Sequence, residues 1–538
     1  MADNRLLLNG NEAVAHAAFD SGVHLGTGYP GTPSTEILET FDALGGRAQW
    51  APNEKVATEV AMGAAFGRAW AMVTMKHVGL NVAADPLFTG AYSGVDGALV
   101  VVVADDPGLA SSQNEQDSRR YAVAAAVPML EPMDSQQAYD LTAEALAMSA
   151  RWKLPVLLRL TTRVSHSKSI VTRRNLPRPS EAPHFVQDVA GHVMVPSHAR
   201  VAHRRLRAKL EEIRLWAEQP DHGTRLFPPS GGGAPQRRIV ADGVAVAHVR
   251  EAAPDAAVLQ VVMTHPAPVE ALRAFLAGGE GLVIEEGDPV LAEICRQAGL
   301  VVTEKPSMYR FGELSVNRVR RILAGDTSPE PPPPPGRPPQ LCAGCPHRTV
   351  FELLRDMDLI VSGDIGCYTL GYLPPFNAMH VQNCMGASIT VGLGLRHVLP
   401  EAEARRVVSV IGDSTFVHSG LTGIAEMVYN PPATGHVVVI LDNGITAMTG
   451  LQPNPASGRR LDGTAAPRLS LEDACRGLGV PHVAVVDLAR EREKLAPMLQ
   501  QAMASGGLWV IVARRPCVLS AARQRKCEAA APAGEKPS

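Results

Sequence analysis

Asp413, in Gly412-Asp413-Ser414, and Asn443, in Asp442-Asn443-Gly444, carry the oxygen types that bind a hard divalent cation. One offers a carboxylate, the other an amide oxygen, and the backbone carbonyl of Ile445 is placed to join them. Such a set suits Mg²⁺ bridging to a bound diphosphate. Residues 407–411, Val-Val-Ser-Val-Ile, read as a short buried strand, and 436–441 as a second. Between them, 420–429 reads as a helix. Asp413 then leaves the end of one strand and Asn443 the end of the next. Both stand at the carboxyl edge of a parallel sheet, where open α/β sheets hold their ligands. The N-terminus of the helix adds N–H groups that favour a phosphate.

A second acid worth following is Glu54. Trp50-Ala51-Pro52-Asn53-Glu54 runs into a helix of small residues, among them Ala57, Ala61, Gly63, Ala64 and Ala65. Small side chains let another backbone come close. An acid in a first helical turn is ordinarily there because the helix dipole favours it. Glu54 has chemistry to do only if the rest of the site calls for a carboxyl group.

Length and composition set the frame. At 538 residues, with a hydrophobic share of 46%, the chain can fill several cores. A formal charge of −3 with acids and bases interspersed argues against nucleic acid or an anionic membrane as partner. No apolar run reaches the ~18 residues of a membrane span, and Met1-Ala2-Asp3-Asn4-Arg5 lacks the look of a signal peptide. The expected location is the cytoplasm. Eight cysteines in so long a chain do not make a secreted disulfide framework, so their spacing is read for metal or redox chemistry.

Two flexible places divide the chain. Residues 226–235, Leu-Phe-Pro-Pro-Ser-Gly-Gly-Gly-Ala-Pro, read as a linker, and the prolines of 326–340 as a stiff extended spacer. Residues 1–200 alternate apolar runs, such as 97–104 and 154–160, with helical stretches, which is an α/β pattern around a buried parallel sheet. Residues 203–218 read as a charged amphipathic helix within a connecting segment, 201–236, its basic residues a solvated face. A smaller α/β domain is expected over 237–325, with strands near 257–262 and 281–286. The third domain spans 341–517, and 518–538 reads as a disordered tail.

The order of motifs resembles the 2-oxoacid:ferredoxin oxidoreductases, and within them the indolepyruvate-type α subunits. The resemblance rests on Gly28-Tyr29-Pro30-Gly31-Thr32-Pro33-Ser34, Asn53-Glu54-Lys55, Met75-Lys76-His77-Val78-Gly79 and Ser112-Gln113-Asn114-Glu115-Gln116-Asp117. It continues through Thr161-Thr162-Arg163, Cys342-Ala343-Gly344-Cys345-Pro346, Gly363-Asp364-Ile365-Gly366-Cys367, Cys384-Met385-Gly386 and Thr446-Ala447-Met448-Thr449-Gly450. It implies thiamine diphosphate (ThDP) with Mg²⁺, held by two parallel-sheet domains, one for the pyrimidine and one for the diphosphate. Between them would lie a domain like the C-terminal domain of transketolase. It implies that Glu54 activates the cofactor's pyrimidine, and that Gly366, Cys367, Met385, Gly412, Asp413, Ser414, Asn443 and Ile445 bind the cofactor. Asp413, Asn443 and Ile445 would hold the metal. Thr32 resembles the residue facing the substrate carboxylate. Arg119 and Lys76 are further candidates to pair with that carboxylate, although ordinary ion pairs explain either one as well. His166 could hydrogen-bond substrate or be structural.

Cys342 and Cys345 form a CxxC, Cys367 follows the Gly-Asp-Ile-Gly loop, and Cys517 follows Arg514-Arg515-Pro516. In related oxidoreductases cysteines so placed hold a [4Fe–4S] cluster, for which Cys₄ is the usual ligand set. Zinc suits Cys₄ as well, and reduced thiols lining the pocket remain open, with Cys367 simply touching the cofactor. Cys384 is expected in the pocket. Cys295, Cys475 and Cys527 are expected to be unpaired and structural.

The family's α subunits usually continue into a ferredoxin-like domain with two CxxCxxCxxxC sets. Here 518–538 holds only Cys527. The implied activity is oxidative decarboxylation of an aryl 2-oxo acid to an acyl-CoA. It would require coenzyme A, a β subunit, pairing of ThDP-binding units and an electron acceptor such as ferredoxin. A non-oxidative ThDP decarboxylase or carboligase is the alternative, and a subunit inert until its partner assembles is a third reading.

Overall fold

A computed structural model describes residues 4–331 and 339–530, with the side chains of 526–530 left aside. The chain forms two compact units that divide within the proline run, at 332/333. The expected proline spacer therefore lies partly outside the described residues. No helix among them is long and apolar enough to cross a membrane.

The first unit is built on a seven-stranded sheet. Its order is Met263–His265, Met129–Leu130, Val156–Thr161, Ala98–Asp105, Trp70–Lys76, Leu25–Gly28 and Ala48–Trp50. All neighbours run parallel except the first pair. Every residue of Ala98–Asp105 and of Trp70–Lys76 is buried, which is why 97–104 reads as an apolar run. The helices Glu54–Phe66 and Ser135–Trp152 pack on this sheet, and Gly10–Asp20 packs against Ser135–Trp152. A second sheet of five strands, centred on Arg238–Asp242, follows in the same unit. The two α/β regions expected on either side of residue 236 thus lie in one compact unit, and Met263–His265 lends a strand of the later region to the earlier sheet.

The linker expected from Leu226 starts later than the sequence suggested. Thr224–Phe227 is a strand, antiparallel to Ala257–Val261, because Leu226 and Phe227 have an edge to pair with. The charged helix is longer than expected and runs Pro196–Ala217, with Ala202, Leu206, Leu210 and Ile213 as its buried stripe.

Arg119 joins the two sheets. It is 2% exposed and donates from Nη1 to Asp242 and Glu285 at 2.6 Å each, and from Nη2 to Asp117 at 2.5 Å. It also donates to the carbonyls of Glu286 and Asp288. Arg159 beside it pairs with Asp105 at 2.6 Å and Glu131 at 2.5 Å. These charges are held because they are paired and hydrogen-bonded.

The second unit is a five-stranded, all-parallel sheet in the order Ile360–Ser362, Val407–Gly412, His436–Asp442, Leu508–Arg514, His482–Asp487. Apolar clusters cover both faces, one around Phe351, Val439 and Leu499, the other around Ile389, Phe416 and Ile440. The expected disordered tail is corrected in part. Val518–Ala530 is helical, and 531–538 lies outside the described residues.

Candidate active site

In the second unit the strand Val407–Gly412 ends and helical structure begins at once, at Asp413–Thr415. A π-helical turn, Phe416–Gly420, leads into the helix Leu421–Tyr429. The helical run therefore starts several residues earlier than the sequence suggested, directly at Asp413. That carboxylate is 2% exposed, and among the described residues its Oδ2 has no hydrogen-bond partner. Burial, and then the charge of Asp442, push its pKa up to about 7. A buried carboxylate oxygen left empty in this way wants a cation.

The surrounding side chains are arranged around that turn. Ser414 Oγ accepts from Thr446 Oγ1 at 2.7 Å, and Thr415 Oγ1 donates to the Ile365 carbonyl at 2.9 Å. Tyr368 fills the space between Gly366 and Gly412, since a Cβ on either would stand 2.5 Å from its ring. The loop carrying Gly366 and Cys367 is thereby held against Gly412-Asp413-Ser414. Asp364 is fully buried and ties a second loop in. It accepts from the backbone N–H groups of Ile365, Gly386 and Ser388 at 2.7–2.9 Å, which fixes the segment bearing Met385.

Asn443 follows the end of the next strand, His436–Asp442. Its Oδ1 accepts from the Ile445 N–H at 3.0 Å, and its Nδ2 lies 3.4 Å from His347 Nε2. Its backbone carbonyl accepts from the Cys517 N–H at 3.1 Å. Asn443 thus stands between the turn of Asp413 and the cysteines. One carboxylate, one amide oxygen and a backbone carbonyl suit Mg²⁺, and the unpartnered Asp413 Oδ2 is the observation that fits a metal here.

The cysteines share a neighbourhood without forming a finished site. Burial, and after it the neighbouring Cys345, Cys517 and Cys342, push the Cys367 thiol up to about 12. Cys345 is raised by burial and by Cys342 and Cys517, against the opposing backbone hydrogen bond of His347. Cys517, remote in sequence, therefore lies near Cys345 and Cys367. Yet among the described residues no three His, Cys, Asp or Glu side chains form a group ready to hold a metal. Cys384 is exposed, while Cys295 and Cys475 are buried and unpaired. The side chain of Cys527 lies outside the described residues.

In the first unit the carboxyl edge of the seven-stranded sheet carries the other candidates. Glu54 opens the helix Glu54–Phe66, capped by Asn53, whose side chain accepts from the Val56 N–H at 2.9 Å. It is 6% exposed, and its carboxyl lies against Gly79, where a Cβ would stand 2.5 Å from Oε1. Gly79 is needed because Glu54 is there. Gly63, by contrast, would place a Cβ with nothing within 4 Å. Thr32 lies in the loop after Leu25–Gly28, and its carbonyl accepts from Ser111 Oγ at 3.2 Å.

The fold corrects one expectation outright. Arg119 cannot serve a substrate carboxylate, because its donors are taken by Asp117, Asp242, Glu285 and two carbonyls. His166 is 41% exposed in its side chain and stands 4.0 Å from Glu36, a surface contact. Sequence reasoning passed over Asp364, Tyr368 and His347. The alternation Gly363-Asp364-Ile365-Gly366 was the available signal for Asp364, since an acid flanked so closely by glycines marks a loop built around a carboxylate.

Known proteins resemble this chain in both units. Residues 16–187 match the family model described as pyruvate flavodoxin/ferredoxin oxidoreductase, thiamine diP-binding. Residues 364–513 match the thiamine pyrophosphate enzyme C-terminal TPP-binding domain. The indolepyruvate oxidoreductase subunit IorA of Methanothermobacter thermautotrophicus is 38% identical, over 97% of this chain and 88% of its own. The IorA of Archaeoglobus fulgidus is 37% identical over the same shares. The 2-oxoglutarate synthase subunit KorA of A. fulgidus is 27% identical over 31% of this chain and 51% of its own. The chain belongs to the IorA family of ThDP-dependent 2-oxoacid:ferredoxin oxidoreductase subunits.

Proposed function

We propose that this subunit, working with a β subunit, oxidatively decarboxylates an aryl 2-oxo acid of the indolepyruvate type. The products would be CO₂ and an acyl-CoA, with single electrons passing to ferredoxin or another acceptor. The observation that carries the reading is the near full-length similarity to relatives named indolepyruvate oxidoreductase subunits. The gathering of Cys342, Cys345, Cys367 and Cys517 favours an oxidative over a non-oxidative reaction.

ThDP, when bound, supplies a carbon nucleophile and a sink for the electron pair left by departing CO₂. Asp413, Asn443 and the Ile445 carbonyl would hold Mg²⁺ and through it the diphosphate, with Gly412 and Ser414 in the same turn. Gly366, Cys367 and Met385 would line the cofactor from the two loops fixed by Tyr368 and Asp364. Glu54 would hold a proton at the pyrimidine, the role for which a buried carboxyl is suited. Thr32 would orient the substrate. The four cysteines would offer the electron exit, as a [4Fe–4S] cluster completed on loading. Pairing of two ThDP-binding units belongs to the same reading.

The test is anaerobic co-expression with the β subunit, followed by iron and sulfide analysis and assay with indolepyruvate, coenzyme A and a viologen dye. Iron and sulfide as one cluster per chain, with dye reduction and acyl-CoA, is the expected result. Release of the aryl acetaldehyde without dye reduction would move the assignment to a non-oxidative decarboxylase or carboligase.

A further inference from the structure

We infer that Lys76 is the cation that receives the carboxylate of the 2-oxo acid, held for that task by the loop of Asp106, Ser111 and Ser112. This rests on the reading of the chain as a 2-oxo acid enzyme. Any such substrate arrives with an ionised carboxylate, and a buried cation with donors to spare is its strongest partner. The buried arginines of the first unit are already committed. Arg119 is bound by three carboxylates and two carbonyls, and Arg159 by Asp105 and Glu131. Arg163 is half exposed and paired with Glu313.

Lys76 differs from all three. It closes the strand Trp70–Lys76, which lies between Leu25–Gly28 and Ala98–Asp105, so it sits at the carboxyl edge in the body of the sheet. It is 8% exposed, and its Nζ donates to the Ser111 carbonyl at 2.8 Å. An ammonium has three donors. Asp106 favours the charge through space, but its oxygens are occupied by the loop. They accept from Ser111 N at 2.8 Å, Ser112 Oγ at 2.5 Å, Ser111 Oγ at 3.3 Å and Thr162 Oγ1 at 2.9 Å. Among the described residues the Lys76 ammonium is thus buried without a carboxylate paired to it, and burial holds its pKa down to about 8. An arriving carboxylate would complete the pair.

The surroundings place this cation among the reacting groups. A Cβ on Gly31 would stand 3.2 Å from Lys76 Cβ, so the Gly31-Thr32 turn lies over the lysine stem. Ser111 links the two, taking the lysine at its carbonyl and donating from Oγ to the Thr32 carbonyl. Three residues beyond Lys76, Gly79 carries the carboxyl of Glu54 against it. Thr32, Lys76 and Glu54 therefore share one edge of one sheet.

The test measures binding of inert 2-hydroxy acids and of their methyl esters to the chain by calorimetry. The probes are 3-phenyllactate, 2-hydroxy-4-methylpentanoate and lactate. The wild type should bind its preferred acid about 10- to 100-fold more tightly than the ester, the range of a charge-assisted hydrogen bond. Lys76→Met should lose that advantage while keeping ester and ThDP affinity, and Lys76→Arg should recover much of it. In turnover, Lys76→Met should raise KM more than it lowers kcat. Equal affinity of wild type for acid and ester, or an unchanged acid preference in Lys76→Met, would overturn the inference. A wild type that prefers an alkyl acid with the same dependence on Lys76 would defeat the aryl reading and support the role of Lys76.

Discussion

Asp106 and Asp413 occupy the same place in two similar sheets and end in opposite electrostatic states. Each follows directly on a fully buried parallel strand, Ala98–Asp105 in one unit and Val407–Gly412 in the other. Burial disfavours charge on both. Around Asp106 the loop answers with donors from Ser112, Ser111 and Thr162, joined by the charge of Lys76, and the pKa falls below its ordinary value despite burial. Around Asp413 burial and Asp442 prevail, and one oxygen is left with no partner among the described residues. A carboxylate satisfied by its own loop holds that loop in place. On the proposed reading, one left unsatisfied in an otherwise hydrogen-bonded turn would be kept for a partner from outside, a divalent cation.

The comparison can be broken or sharpened in several places. The largest expected effect is on the first unit's acid. Glu54→Gln should still bind ThDP but slow exchange of the cofactor's C2 proton into deuterated water by about 10²–10⁴-fold. An exchange rate equal to wild type would return Glu54 to the bland role of a helix-terminal acid. Next in size is Arg119→Met, which strands Asp117, Asp242 and Glu285 in the interior. It should cost about 3–5 kcal/mol in denaturant unfolding. A variant as stable as wild type would mean that the buried charges of the first unit are less well paired than the geometry implies.

A smaller effect follows pH. Lys76 is charged below its pKa of about 8 and neutral above it. Affinity for a 2-oxo acid should therefore hold below pH 8 and fall by about tenfold per unit well above it, the slope of one lost proton. In Lys76→Arg that alkaline fall should vanish, because a guanidinium stays protonated. Persistence of the fall in the arginine variant would assign it to another group. The smallest effect is expected for Asn443→Ala. Water can replace an amide oxygen on Mg²⁺, so ThDP affinity should drop only about tenfold by calorimetry. A complete loss would make Asn443, rather than Asp413, the anchor.

Much of this was legible in the sequence where local pattern and fold agree. The largely apolar runs at 97–104 and 407–411 read as buried parallel strands, and the residues after them then fell at the ligand-binding edge. What stayed hidden depended on long-range partners. The competition between Arg119 and Lys76 could not be decided, because the carboxylates that saturate Arg119 come from strands more than a hundred residues later, ending at Asp242 and Ile284. Leu226 and Phe227 looked like linker beside Pro228 and Gly231, and only the open edge of Ala257–Val261 makes them a strand. Tyr368 had no signal of its own, since its role is to fill space between Gly366 and Gly412.

The central claim, that Asp413 is kept unsatisfied for a cation that carries the diphosphate, is tested most directly by titrating ThDP into wild type and Asp413→Ala. Each is measured by calorimetry with Mg²⁺ and again with the metal chelated. The wild type should bind ThDP tightly only when Mg²⁺ is present, and the variant should lose that metal-dependent affinity by a factor on the order of 100 or more. Equal ThDP affinity in the two proteins with Mg²⁺ present, or tight binding by wild type without metal, would contradict the account.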